Sequence, residues 1–332
     1  MSRTSLGIGY FVKCMFAAGS IWAVAIGTAA PAAAADNVSL RLDWTAQAYH
    51  APLFYGAAKG YYAEQGINLE IFDGHNNTLQ SLISGNDTIV LSSYATMAQG
   101  IAQGMPIIGV GGLMQRLPDA ILALEGSGIR TPKDLEGKTG AMSPSSATFK
   151  IFPAFASAAG IDINKVKIVQ AAPGANLTLL LQGQVDFAAS WGFTQGVQVA
   201  KTKPIEKPIL MADHGITMLS VGFIVTRDAA AQKRDLIQRF MSATAESYRE
   251  AAKDPEGAVD AMLAKRPTLQ KEILLDSYKL FPQYLHTDRT KGRAFGWMAR
   301  EDWEETVNNL QKYFEVKGTI DIDKLYTNEF IQ

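Results

Sequence analysis

Two tryptophans and a set of hydroxyl, amide and imidazole groups are the residues of this chain whose chemistry could serve a ligand. Trp44 and Trp191 each follow an apolar, β-like run. An indole at a strand end can stack on a flat ring or simply close the core beneath it. Trp44 leads into a polar loop with Thr45, Gln47, Tyr49 and His50. His50, directly before a helical window, can hydrogen-bond a ligand or cap the helix. Ser92, Ser93 and Tyr94 occupy a comparable strand end and offer hydroxyls and backbone N–H groups, which plain capping would also explain. Ser143, Ser145 and Ser146 open another helical window, where orphan donors and the helix dipole suit an anionic or carbonyl-bearing ligand. Gln115 and Arg116 follow a long apolar run. If Arg116 points inward it can bind a carboxylate, sulfonate or phosphate; if outward it is solvated surface. Phe193, two residues past Trp191, is a ligand contact or a core ring.

Catalytic chemistry finds little to work with. The four histidines, His50, His75, His214 and His286, are scattered without metal-ligand spacing, and no phosphate-loop, dinucleotide, zinc-protease or nucleophile-elbow motif is present. We therefore expect no metal and no cofactor. The single cysteine, Cys14, lies in an apolar N-terminal stretch, which leaves the rest of the chain without a thiol nucleophile, a disulfide or a Cys-ligated metal. Lys and Arg number 31 against 32 Asp and Glu, with no long run of like charge, so nucleic acid is disfavoured as a partner.

Residues 1–35 read as an export leader. Arg3 and Lys13 supply positive charge, the segment from Cys14 to Ala30 is apolar or small, and Pro31 with Ala32–Ala35 gives the small-residue pattern that precedes cleavage, here before Asp36. Gly, Ser, Thr and Ala dilute the stretch too much for a retained span, and Tyr10–Lys13 is no lipobox before Cys14. The expected location is the periplasm. About 300 residues then remain, enough for two lobes.

These positions need elements to hold them. Strands are expected over Val38–Trp44, Ile67–Phe72, Thr88–Leu91 and Ile107–Leu113, alternating with helices over Pro52–Gln65, Asn77–Ser84 and Tyr94–Gln103. Gly66, Gly85 and Gly104 close these helices. A second unit has strands over Thr139–Met142, Val166–Gln170 and Asp186–Trp191 with helices over Ser146–Ala159, Asn176–Gln182 and Thr194–Ala200. Ser220–Thr226 reads as a strand returning to the first unit, and the chain is largely helical after Ala229. The pattern predicts an α/β protein of two parallel-sheet lobes, the second inserted in the first: residues 36–115 and 222–332 in one, 116–221 in the other. Two crossings make a hinge and leave a cleft between lobes, toward which the strand ends carry Trp44 and Trp191. Trp297 and Trp303 read as packing residues.

The segment Arg41–Ile71, RLDWTAQAYHAPLFYGAAKGYYAEQGINLEI, closely resembles the family of periplasmic binding proteins and enzymes that handle thiamine-pyrimidine precursors. Ser84–Leu91, Gly104–Pro106, GIRTPKDLEG at Gly128–Gly137, LLQGQVDFAA at Leu180–Ala189 and LYTNEF at Leu325–Phe330 extend the likeness along the chain, partly shared with sulfonate- and nitrate-binding proteins. The resemblance implies the type II periplasmic-binding fold and a small heteroaromatic, pyrimidine-like ligand shut between two lobes. It also implies delivery by a monomer to the permease and ATPase subunits of an ABC importer. A sulfonate, nitrate or aromatic acid stays open as ligand. The family's synthase enzymes, as the resemblance has them, hold pyridoxal phosphate on a lysine and consume a histidine of their own chain. Those positions fall here at Ser92 and Thr96, and the synthases' cysteine motif has no counterpart at Ile216–Arg227. Hydroxyls can neither form the Schiff base nor donate ring atoms, so a binder is expected and not an enzyme.

Overall fold

In the computed structural model the described residues are 34–74, 77–314, 316 and 320–332. The expected leader, with Cys14, and also His75 lie outside them. The strands are β1 (Asp36–Arg41), β2 (Ile67–Phe72), β3 (Ile89–Ser93), β4 (Ile107–Met114), β5 (Asp119–Ala123), β6 (Thr139–Met142), β7 (Lys167–Gln170), β8 (Phe187–Trp191), β9 (Ile209–Leu210) and β10 (Val221–Thr226). They form two five-stranded sheets, ordered β2-β1-β3-β10-β4 and β7-β6-β8-β5-β9.

Neither sheet is wholly parallel, which corrects the sequence expectation. β1, β2 and β3 run parallel, but β10 lies antiparallel between β3 and β4. In the second sheet β6, β7 and β8 are parallel while β5 is antiparallel to β8 and β9. The cause is the path of the chain. β4 ends where it leaves the first sheet, so β5 starts at that same side and runs away from it, against the direction of β8. β10 returns by the same side and must run against β3 and β4. A right-handed βαβ crossover, which would keep the strands parallel, is not the connection used here.

Twelve α-helices cover the sheets among the described residues. Those of the first unit are α1 (Ala51–Lys59), α2 (Tyr61–Glu64), α3 (Thr78–Ile83) and α4 (Tyr94–Ala102). Those of the second are α5 (Ala147–Ala158), α6 (Ala175–Leu181) and α7 (Gln195–Thr202). The rest are α8 (Arg227–Gln232), α9 (Arg234–Ala251), α10 (Pro255–Leu263), α11 (Lys271–Leu280) and α12 (Arg300–Tyr313). The single helix expected over Pro52–Gln65 is two, because Gly60 takes a left-handed backbone at φ 88° and ends α1. In α9, Ile237, Phe240, Met241, Thr244, Tyr248 and Ala251 recur at helical spacing and are buried against the first sheet and α1.

One face of the first sheet packs on α1, α9 and α10; the other holds Tyr94, Met97, Ile224, Trp303 and Leu325. In the second sheet, Phe152 and Phe155 of α5 cover one face and Leu180 and Val199 the other. α12 ties the two together. Its Leu310 and the following Phe314 join the core of the second sheet, while Thr306 Oγ1 accepts from Leu219 N–H at 2.9 Å. Trp303 is a packing residue, edge-on to Tyr94 with ring centroids 4.6 Å apart.

Candidate functional site

The connection after β1 is shaped by a carboxylate. Asp43 accepts from the Tyr49 hydroxyl and from His50 Nε2, both at 2.8 Å, and Gln47 N–H donates to His50 Nδ1 at 3.0 Å. Both imidazole nitrogens are thus used and the ring is fully buried, so His50 orients Asp43 and shapes the loop. Burial first, then the Asp43 charge, pushes the Tyr49 hydroxyl well above its ordinary pKa, which keeps it a proton donor. With its neighbours so fixed, Trp44 projects outward and is 50% exposed, an uncommon state for so large an apolar ring.

Ser92 and Ser93 end β3 beside this loop. With Asp43, Thr78, Thr96 and Gln99 they line a recess of about 350 Å³. Ser93 caps α4, accepting from Thr96 N–H at 3.1 Å, and its Oγ lies 2.8 Å from Thr96 Oγ1. No lysine lines the recess among the described residues, so nothing there supplies the amine that pyridoxal phosphate would need. Tyr94 is turned the other way. Its hydroxyl donates to Gly111 O at 2.9 Å within the core, so it presents no atom to a ligand.

On the second sheet the matching edge carries the serines. Ser146 caps α5, accepting from Phe149 N–H at 3.1 Å, and Ser143 and Ser145 share a hydrogen bond at 3.0 Å. At the second residue of α5, Thr148 Oγ1 donates to Asp119, the first residue of β5. Asp119 is 2% exposed, and burial raises its pKa to about 6, with the Thr148 bond opposing. It sits in register with Trp191, the last residue of β8.

Trp191 stacks on Phe193 with centroids 6.2 Å apart and approaches Tyr49, in the 3-10 turn before α1, at 6.0 Å. Phe193 goes further. It is fully buried in the core of the first sheet, against Tyr284 at 4.7 Å and Phe281 at 6.0 Å. It acts as an anchor between the sheets and offers no free face. Trp44 and Trp191 make no ring contact with each other among the described residues.

Gln115 and Arg116 follow β4, and the amides of both donate to Tyr284 O, at 2.8 and 3.1 Å. The Arg116 guanidinium is paired with Asp213 and is not a free anion receptor. Gln115 is wholly buried.

Sequence reasoning put Trp44, Ser92, Ser93 and Trp191 at strand ends and Ser143–Ser146 at a helix start; Ser92 and Ser93 end β3, Trp191 ends β8 and Ser146 caps α5, whereas β1 stops at Arg41, three residues before Trp44. It gave Asp43 and Asp119 no contact role and did not single out Thr148 or Asp213. A lone Asp followed by AILA after Pro118 was the signal for a buried carboxylate heading a strand. Groups of His, Cys, Asp or Glu able to hold a metal ion are absent among the described residues, as is any helix long and apolar enough to cross a membrane.

The described residues offer an exposed indole at Trp44, a partly exposed one at Trp191, a carboxylate held by two donors and hydroxyls at strand ends and helix starts of both sheets. Such a set suits a flat, polar-edged molecule. Residues 47–258 match the family model described as NMT1/THI5 like. The riboflavin-binding protein RibY of Chloroflexus aurantiacus is 25% identical over 321 residues, covering 92% of this chain and 90% of that protein. The 4-amino-5-hydroxymethyl-2-methylpyrimidine phosphate synthase of Legionella pneumophila is also 25% identical, covering 89% and 92%. Among solved structures, the periplasmic aliphatic sulphonate binding protein SsuA from Escherichia coli has a TM-score of 0.67 at 16% identity, covering 87% of this chain and 91% of that one. The fold is the type II periplasmic-binding fold expected from the sequence.

Proposed function

The chain belongs to the NMT1/THI5-like family, and from that premise we propose that it is the solute-binding component of an importer, closing two lobes around a small heteroaromatic, pyrimidine-like ligand. On this reading residues 36–115 and 222–332 are one lobe and 116–221 the other. The protein works in the periplasm, as a monomer, and passes its cargo to permease and ATPase subunits. The observation that carries the reading is the approach of Tyr49, in the turn before α1, to Trp191 at the end of β8. On this reading the Trp44 loop, the Trp191 strand end and the hydroxyls of Ser92, Ser93, Ser143 and Ser145 contribute to one site.

The relatives named for riboflavin binding and for pyrimidine phosphate synthesis both concern flat nitrogen heterocycles, which supports an aromatic ligand. A synthase is disfavoured by residue chemistry. Ser92 and Thr96 carry hydroxyls where an amine and an imidazole are required, and the Thr96 hydroxyl is engaged with the Ser93 cap. An anionic ligand such as a sulfonate is favoured by the capped N-terminus of α5 but opposed by the pairing of Arg116 with Asp213.

Thermal shift with riboflavin, hydroxymethylpyrimidine, alkyl and aryl sulfonates, nitrate and aromatic acids tests this, since a ligand that binds only the folded state must raise Tm. A rise with a heteroaromatic compound is expected. A rise with sulfonate or nitrate alone would replace the ligand class, and no rise with any of them would count against solute binding itself.

A further inference from the structure

Two features near the second sheet would draw an anion, and a carboxylate stands against each. The first is Arg116, whose guanidinium is paired with Asp213. The second is the start of α5, capped by Ser146, where free N–H groups and the helix dipole favour negative charge. Asp119 lies at that start. Its carboxylate accepts from Thr148 Oγ1, at the second residue of α5, so the protein itself places a carboxylate at this helix end.

The fold does not need a carboxylate at this position. An asparagine would accept from Thr148 and carry no charge. Asp119 is buried, and the influences on its charge are burial, the Thr148 bond and its own N–H, with no cation among them. A buried charge without a cation costs stability at neutral pH, so its presence points to a role other than folding. Being buried, Asp119 acts on a ligand through its field and not by contact. Its backbone is in register with Trp191, which ends β8 and is partly exposed. Residues opposite one another in an antiparallel pair lie about 5 Å apart, and charges in a partly buried setting are weakly screened over such a span. The other charged and titratable groups around Asp119 are few. Arg116 and Asp213 pair with each other, and His214 follows Asp213 on the turn packed against β5. Tyr284 feels the charges of both Arg116 and Asp119, and Lys150 of α5 lies over the Phe314 ring.

We infer that Asp119 is a specificity-determining residue, whose carboxylate, beside Trp191 and the start of α5, rejects anionic molecules from the interlobe site and leaves uncharged ones admitted. The inference rests on the interlobe site proposed above. With Asp213 masking Arg116, both attractions for an anion are cancelled. Burial raises the pKa of Asp119 to about 6, so the rejection is strong where the group is ionised and fades as pH falls through that value. An anion that binds must then take up a proton, by the reciprocity of linked equilibria.

Calorimetric titration with benzenesulfonate and its uncharged analogue benzenesulfonamide tests this in wild type and in Asp119→Asn, which keeps the acceptor for Thr148. At pH 7.5 wild type should bind the sulfonamide about tenfold or more tighter than the sulfonate, as two like charges in a partly buried site repel. At pH 5 the gap should close in wild type, a measurement that needs no variant. In Asp119→Asn it should be closed at both pH values. Equal affinities in wild type at pH 7.5, an unchanged ratio in Asp119→Asn, or a pH dependence that survives in Asp119→Asn and so belongs to His214 would each overturn the inference. So would the absence of sulfonate binding to Asp119→Asn. Riboflavin titrated into the same variant then separates the two claims: if it binds, the interlobe site stands and only the exclusion of anions falls; if it does not, the site falls as well.

Discussion

Tyr49, in the short 3-10 turn before α1, and Trp191, the last residue of β8 in the second sheet, have ring centroids 6.0 Å apart at an interplanar angle of 54°. Tyr49 is held by its hydrogen bond to Asp43, and Trp191 by its stacking on Phe193 and its register with Asp119. The contact therefore joins two fixed edges and not two mobile side chains.

Asp43 is the hub of the first edge. Asp43→Ala leaves the Tyr49 hydroxyl and His50 Nε2 without their acceptor. A loss of about 2–4 kcal/mol in urea unfolding is expected, as two buried donors go unpaired. A loss under 0.5 kcal/mol would mean that water or another acceptor takes over and that the loop does not depend on the carboxylate.

Phe193 ties the second unit into the core of the first. Phe193→Ala should cost about 3–5 kcal/mol, the range for deleting a buried aromatic ring. Equilibrium unfolding would check it. A change below 1 kcal/mol would show that the ring is not part of a shared core.

Asp119 gives a pH dependence whose sign follows from its pKa, raised by burial to about 6 from 3.8. The folded state holds the proton more tightly than the unfolded one. The associated stability is therefore fully present below pH 4 and is lost as pH rises through 6, a cost of about 3 kcal/mol at neutral pH. Asp119→Asn keeps an acceptor for Thr148 and removes the titration. Urea unfolding should find the variant close to wild type at pH 4 and more stable by about 2–3 kcal/mol at pH 7.5. An equal difference at both pH values would contradict the assignment.

Much of this architecture could be read from local pattern. The strands β1 to β4, β6 to β8 and β10 follow from apolar runs bounded by turn residues, and the glycine after each early helix fits its left-handed cap. What escaped was non-local. The antiparallel course of β5 and β10 depends on which side the chain re-enters, and β5 itself is five residues opened by an aspartate. At the site, a residue next to a strand end can turn either way. Ser92 and Ser93 face the recess, whereas Tyr94, one position on, turns its ring into the core against Trp303. Likewise Trp191 keeps some exposure while Phe193 is buried. The roles of His50 and Arg116 were set by partners, Asp43 and Asp213, that only the tertiary structure brings to them.

The central claim is that rings from the two lobes grip one flat ligand, and calorimetric titration of Trp44→Ala, Trp191→Ala and the double variant with riboflavin and hydroxymethylpyrimidine tests it most directly. An aromatic face stacked on a heterocycle is worth roughly 1–3 kcal/mol. Each single variant should therefore weaken binding of the preferred compound about tenfold or more, and the double variant should abolish it while the protein stays folded. Unchanged affinity in the folded double variant would remove both tryptophans from the site and the aromatic grip from the account.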